Sequence, residues 1–366
     1  MSKKNQNESS RDEAVTAAST GETPSKTEGV LYLGIDLGTS RTSVSASNGV
    51  RETVASYVGY PKDVVSRKLL KKDVLYGDEA VKHRLSLEFY RPLEHGVIKT
   101  SKNNGGSDKH LKAAQDLIAE IIRRAKPRKD ELVYAVIGAP AQASIHNKEA
   151  IIEAAKSTVD SVMLCSEPFS VAYGLDMLDD VLVIDIGAGT TDLCRMHGTI
   201  PTEEDEISYT IAGDAIDTKL LELIQKRHPK AQVTQNMCKQ IKEQYGYVSD
   251  TKDKIMVDLP VDGKPTPHDL TQEVKQACEI LVQPIVESIH KLIASFNPEF
   301  QDRLRNNVLL AGGGGLMRGL NKRIEDAMQQ IGGGKVTVVD EPLYAGANGA
   351  LQLALDMPGE YWQQLR

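Results

Sequence analysis

The sequence has no apolar run near the roughly 18–20 residues needed to cross a bilayer as a helix. It has no excess of positive charge either. The net charge is −7, so the chain as a whole sets up no field that draws in nucleic acid. The basic run Arg67–Lys72 holds Leu69 and Leu70 and reads as the solvated edge of a strand or helix. Aromatic side chains make up only 5%, which argues against a base-stacking platform. The four cysteines, Cys165, Cys194, Cys238 and Cys278, are far apart and form no C-x-x-C, which points to buried, reduced thiols in a cytosolic protein. The eight histidines form no H-E-x-x-H or similar metal-binding cluster. The first residues lack the apolar core of a secretory signal, so none is expected. Residues 1–28 are rich in Ser, Thr, Glu, Lys and Asn and nearly devoid of large apolar groups; a disordered tail is expected there. The remainder is ordinary for globular protein, 40% apolar and 26% charged, and 366 residues allow two to three domains.

The chain does contain a duplication. Residues 31–42 read LYLGIDLGTSRT and residues 182–193 read LVIDIGAGTTDL. Each is an apolar run ending in an aspartate, then a Gly-rich turn, then hydroxyl side chains. Asp36 and Asp185 stand 149 positions apart. Glycine lets backbone N–H groups approach an anion closely, and successive N–H groups in a turn form a concave phosphate site. Thr39, Ser40, Thr190 and Thr191 add hydroxyl donors. An aspartate there would repel phosphate unless a cation lay between them. Mg²⁺ suits that position, because it binds through one or two carboxylates plus phosphate oxygens. Two such turns point to two related domains facing one nucleotide polyphosphate. The plain alternative is that each D-x-G merely caps a tight turn.

The pattern along the chain predicts an α/β layer. A hairpin is expected around the first turn, and short strands with a turn at Gly59–Pro61 over 52–90. Leu111, Ala114, Leu117, Ile118, Ile121 and Ile122 space a helix over 108–125. A strand at 131–140, a helix at 147–159, a strand at 162–168 and a short helix through Tyr173 follow. Helices are expected at 214–230 and 234–245, a short strand at Ile255–Leu259, and a long helix over 269–296 bent near Pro284. Residues 306–320 read as strand, glycine turn, helix, and a last helix is expected at 345–356.

Five segments then stand in an order that resembles the actin–Hsp70–sugar kinase superfamily of ATP-binding proteins. They are DLGTS (36–40), EPFSVAYG (167–174), DIGAGTTD (185–192), LLAGGGGLMRGL (309–320) and EPLYAGANGA (341–350). The resemblance covers nearly everything from residue 30 onward and is nearest to the bacterial actins. VGYPKDVVSRKLL (58–70), SEPFSVAYGLD (166–176) and YWQQL (361–365) are similar to the branch that organises magnetosomes. It implies a two-lobed α/β fold, each lobe with a ribonuclease H-like core and a small inserted subdomain around a central nucleotide cleft. The implied partition is IA at 30–57, 94–178 and 346–366, IB at 58–93, IIA at 179–212 and 269–345, and IIB at 213–268.

The resemblance also implies roles. Asp36 and Asp185 would hold Mg²⁺, probed against the turn-capping alternative. Gly38, Thr39, Ser40, Gly187, Gly189 and Thr190 would donate to the β- and γ-phosphates of ATP. Glu167 would orient or deprotonate the attacking water; it also suits a helix N-terminus before Pro168. Asp192 would contact that water, or simply face outward from a strand. Lys242 and Glu243 would meet the ribose and base. Gly312, Gly313 and Gly314 would let the backbone reach the α-phosphate and adenine, the alternative being a flexible loop. Eukaryotic actins carry a lysine where this chain has Ser43, so phosphate charge would be met mainly by Mg²⁺ and backbone N–H groups. The implied function is a cytoplasmic ATPase that assembles with itself into filaments and aligns or moves magnetosomes, with magnetosome-associated proteins as partners, no nucleic acid and no membrane insertion. A non-polymerising nucleotide-dependent adaptor and a small-molecule kinase are the alternatives.

Overall fold

The computed structural model describes residues 29–100 and 108–365. The tail expected at 1–28 lies outside the described residues. The chain opens with β1 (Val30–Leu37), β2 (Arg41–Ala46) and β3 (Arg51–Ala55). A small three-stranded sheet follows, built from β4 (Val58–Pro61), α1 (Val64–Leu70), β5 (Leu75–Tyr76), α2 (Gly77–Lys82) and β6 (Leu87–Tyr90). The turn expected at Gly59–Pro61 is instead strand β4. Pro61 is its last residue and pairs only with β6, because β5 reaches no further than Gly59. Its missing N–H therefore breaks no central ladder.

The chain returns through the short pair β7 (Leu93–Glu94) and β8 (Val97–Ile98) to α3 (Asp108–Arg124), β9 (Leu132–Ala139), α4 (Ile145–Ala155), β10 (Ser161–Ser166) and α5 (Glu167–Gly174). The apolar stripe that predicts α3 is buried against the first sheet: Ala114, Leu117, Ile118, Ile121 and Ile122 all belong to its core. The first sheet runs β10-β9-β1-β2-β3, with β1 antiparallel to β2 and parallel to β9.

The second half repeats this plan. β11 (Val181–Ile186), β12 (Thr191–Met196) and β13 (Glu206–Tyr209) form its meander. Next come α6 (Gly213–Arg227), α7 (Gln235–Tyr245) and the hairpin β14 (Met256–Val261) and β15 (Lys264–Asp269), whose second strand the sequence pattern does not announce. The long helix expected over 269–296 is two helices, α8 (Thr271–Glu279) and α9 (Val282–Ala294). A proline ring clashes with the carbonyl four residues back. For Pro284 that carbonyl belongs to Ile280, so the chain breaks at Ile280–Leu281, ahead of the proline. α10 (Gln301–Asn306), β16 (Val308–Ala311), α11 (Leu320–Met328) and β17 (Val336–Val338) complete the lobe. The second sheet runs β17-β16-β11-β12-β13, again with a three-stranded antiparallel meander and parallel neighbours beyond it. The chain ends with α12 (Ala345–Asp356) and one helix more than expected, α13 (Gly359–Gln364), which buries Trp362.

The two lobes exchange a helix. α5 follows the first sheet, yet Val171 and Ala172 pack on Val181, Val183 and Leu309 of the second. α12 follows the second sheet, yet Ala350 and Ala354 pack on Tyr134 and Val136 of the first. The two helices also touch each other. A Cβ on Gly349 would collide with the Ser170 carbonyl. Glycine at that crossing is what lets the helices approach so closely.

Candidate functional site

A cavity of about 350 Å³ opens between the lobes. Its walls carry Asp36, Gly38, Thr39 and Ser40 from the first turn and Asp185, Gly187, Gly189 and Thr190 from the second. Gly312, Gly313 and Gly314 line it from the glycine turn after β16, and Lys242 and Glu243 from α7. Asp36 is the next-to-last residue of β1, opposite Ser43 on β2 and Gly138 on β9. Asp185 is the next-to-last residue of β11, opposite Asp192 on β12 and Ala311 on β16. The duplicated sequence thus places two aspartates at equivalent strand ends, one per lobe.

Glu167 is the first residue of α5 and is buried in the same cleft. Asp192 is also buried, which overturns the outward-facing alternative. Its Oδ1 accepts the Ala141 N–H at 2.9 Å, and its Oδ2 has no hydrogen bond. Four carboxylates therefore share one poorly hydrated space. Burial pushes Asp36 up from 3.8 to about 6. Burial also pushes Glu167 well up, and Asp192, Asp36 and Asp185 add to the effect. Asp185 is raised by burial, then by Asp36 and Asp192. Such a cluster calls for a cation. Among the described residues no three His, Cys, Asp or Glu side chains converge tightly enough to enclose a metal on their own. That fits Mg²⁺, which keeps several waters and is commonly held by one or two carboxylates and phosphate oxygens.

Around the acids the backbone is shaped for close approach. Gly312 adopts φ +73°, and a Cβ there would strike Asp185 Oδ1. The four glycines do not form a loose loop, since Gly313–Leu316 is a 3₁₀ turn that leads by way of Met317 into α11 at Leu320. Thr39 Oγ1 accepts the Gly96 N–H at 2.7 Å, and His95 Nδ1 lies 3.2 Å from the Gly189 carbonyl, so the two phosphate turns meet a common strap. Lys242 pairs with Asp217 at 2.8 Å and donates to the Gly213 carbonyl at 2.8 Å. Glu243 is exposed at the rim.

Some cleft residues carry no motif. Lys239 of α7 reaches across to Ser40 Oγ at 2.6 Å. Arg91 donates to the Thr39 carbonyl at 3.1 Å and pairs with Asp214 at 2.7 Å. Pro342 and Leu343, which do belong to a motif segment (341–350), give the glycine turn an apolar neighbour. Lys239 and Ser40 lie 199 positions apart, so no local pattern could have joined them. The two lysines also mean that cationic side chains stand beside the phosphate turns, in addition to backbone N–H groups.

The MreB/Mbl protein family matches residues 31–358. The actin-like protein MamK of Paramagnetospirillum magneticum is 41% identical over 335 residues, 92% of this chain and 95% of that one. A solved MamK double helical filament superposes with a TM-score of 0.86 at 40% identity, covering 90% of this chain and all of that one. A non-polymerising MamK mutant bound to AMPPNP gives 0.68 at 40% identity, with the same coverage. With a bipartite fold, a duplicated acidic turn in each half and relatives along its whole folded length, this chain belongs to the MreB/Mbl family of actin-like proteins.

Proposed function

We propose that this protein is an actin-like ATPase whose ATP-dependent filaments organise or position magnetosomes. The observation that carries the reading is the convergence of both phosphate turns, both strand-end aspartates and Glu167 on one interlobe cavity. The relatedness to MamK, solved as a filament and with AMPPNP bound, supports it.

In this reading Gly38, Thr39 and Ser40 from one side and Gly187, Gly189 and Thr190 from the other hold the β- and γ-phosphates. Gly312, Gly313 and Gly314 admit the α-phosphate and adenine, with Leu343 against the base. Asp36 and Asp185 would hold Mg²⁺, which would supply the positive charge that lets carboxylates and phosphates share the site. Glu167 orients the attacking water by accepting its proton, and Asp192 contacts that water from the other lobe. Phosphoryl transfer depends chiefly on such positioning and charge neutralisation.

Residues 58–93 and 213–268 act as the small subdomains above the cleft. Head-to-tail association of such a molecule is heterologous and does not close, so it yields open filaments. Electron microscopy of the purified protein is the test. Filaments are expected with Mg-ATP and few or none without nucleotide. Single particles with Mg-ATP, together with phosphorylation of an added small molecule, would replace this reading with a kinase.

A further inference from the structure

The cleft contains an ammonium group whose place in the fold suits a ligand better than it suits the protein. Lys239 sits on α7 of the second lobe, and its side chain is 19% exposed. Its Nζ crosses the cleft to Ser40 Oγ of the first phosphate turn, at 2.6 Å. The Tyr57 ring, also of the first lobe, lies 5.5 Å away. Two neighbouring cations are committed elsewhere, Lys242 to Asp217 at 2.8 Å and Arg91 to Asp214 at 2.7 Å, and a third, Arg41, is exposed. The nearest carboxylate to Lys239 is Glu243, at 4.0 Å and itself largely exposed. Burial accordingly pushes the Lys239 ammonium down from its ordinary value, with Arg91, Lys242 and Arg41 adding repulsion. A poorly hydrated cation held by a neutral hydroxyl leaves most of its charge unanswered.

We propose that Lys239 is a phosphate-binding residue: it leaves Ser40 for the polyphosphate of the nucleotide and thereby ties the second lobe to the first when nucleotide binds. This inference rests on the nucleotide reading above and names a contact beyond its two turns. Ser43 opposes Asp36 in the first hairpin, so no cation comes from that position of β2, and Arg41 at the start of the same strand is exposed at the cavity. Lys239 supplies it from the opposite wall. A charge-assisted hydrogen bond to phosphate is stronger than the neutral one it replaces. The exchange favours the closed cleft, because α7 and the first phosphate turn then hold the same anion.

Calorimetry on the full chain with Mg-ATP, Mg-ADP and adenosine tests the assignment. Lys239→Met is expected to weaken Mg-ATP and Mg-ADP about tenfold and to change adenosine less than twofold. Lys239→Arg is expected to retain affinity within about threefold, since it keeps the charge. Equal losses for all three ligands would mean a merely structural role and overturn the assignment. Unchanged affinities in Lys239→Met would overturn it too. Absence of Mg-ATP uptake by the unaltered protein would overturn the nucleotide reading and this contact with it.

Discussion

The two lobes share a strand order and a hairpin register, and the differences between matched positions separate scaffold from chemistry. Aligning Asp36 with Asp185 matches Ser43 to Asp192, Gly138 to Ala311 and Ala46 to Arg195. Continuing along the parallel neighbours matches Cys165 of β10 to Val339, and hence Glu167-Pro168 to Glu341-Pro342. The same Glu-Pro pair thus follows the outer strand of each lobe. Glu167 is buried among carboxylates. Glu341 is exposed and pairs with Arg51 of the first lobe at 3.1 Å. Duplication supplied two equivalent frames. Burial and charged neighbours then set one frame's glutamate, the proposed catalytic residue, among carboxylates and the other's in a surface ion pair.

The sharpest test of that asymmetry compares Glu167→Gln with Glu341→Gln. The first is expected to slow ATP hydrolysis by about 10²–10⁴-fold while filaments still form, and sedimentation should show that they no longer turn over. The second is expected to change hydrolysis less than twofold, since an exposed ion pair contributes little. Equal effects in a phosphate-release assay would erase the distinction.

A second contrast lies away from the cleft. Where the first lobe has Ala46, the second buries Arg195 against Asp205 at 2.6 Å, with the Leu292 carbonyl accepting from the same guanidinium. Arg195→Met leaves the buried Asp205 its Thr202 donors and His197 but no guanidinium, and chemical denaturation should register a loss of about 3–5 kcal/mol. Burial alone would raise Asp205, but the Thr202 N–H, the Arg195 guanidinium and the Thr202 hydroxyl prevail and hold it at about 2. A depressed carboxylate stabilises the fold above its ordinary pKa. The contribution is therefore complete above about pH 4 and lost as pH falls toward 2. The Arg195→Met variant should show a flatter acid limb.

Asp36 carries the opposite sign. Raised from 3.8 to about 6, it costs nothing below about pH 4, and its cost grows as pH rises through 6. Without ligand, Asp36→Asn should match the unaltered protein near pH 4 and exceed its stability at pH 7 by up to roughly 3 kcal/mol. With Mg-ATP the order should reverse, because the variant loses the carboxylate that meets the cation. Thermal melts in both conditions check this.

Much of the candidate site was legible because two Gly-rich turns constrain residue type locally. Asp36–Ser40 and Asp185–Asp192 each need an apolar strand, an acid and glycine in immediate succession, and both lie where that pattern puts them. Helix α3 was legible because its apolar stripe faces a single sheet. The misread places depend on distant partners. Pro61 looks like a turn until β6 is known to be its only neighbour there. Asp192 fits either the site or an outward face until burial and the Ala141 N–H, 51 positions earlier, exclude the outward face. Lys239 belongs to an ordinary surface helix until the other lobe comes to it.

The traded helices α5 and α12 have a mechanical meaning. Pulling the halves straight apart would uncover Val171 and Ala172 at one end and Ala350 and Ala354 at the other, all buried. At the Gly174–Gly349 crossing neither helix carries a side chain, which makes it the point about which the two can swivel. The joint therefore resists tension yet yields to torque, and a subunit in a strained polymer can twist about its own waist without coming undone.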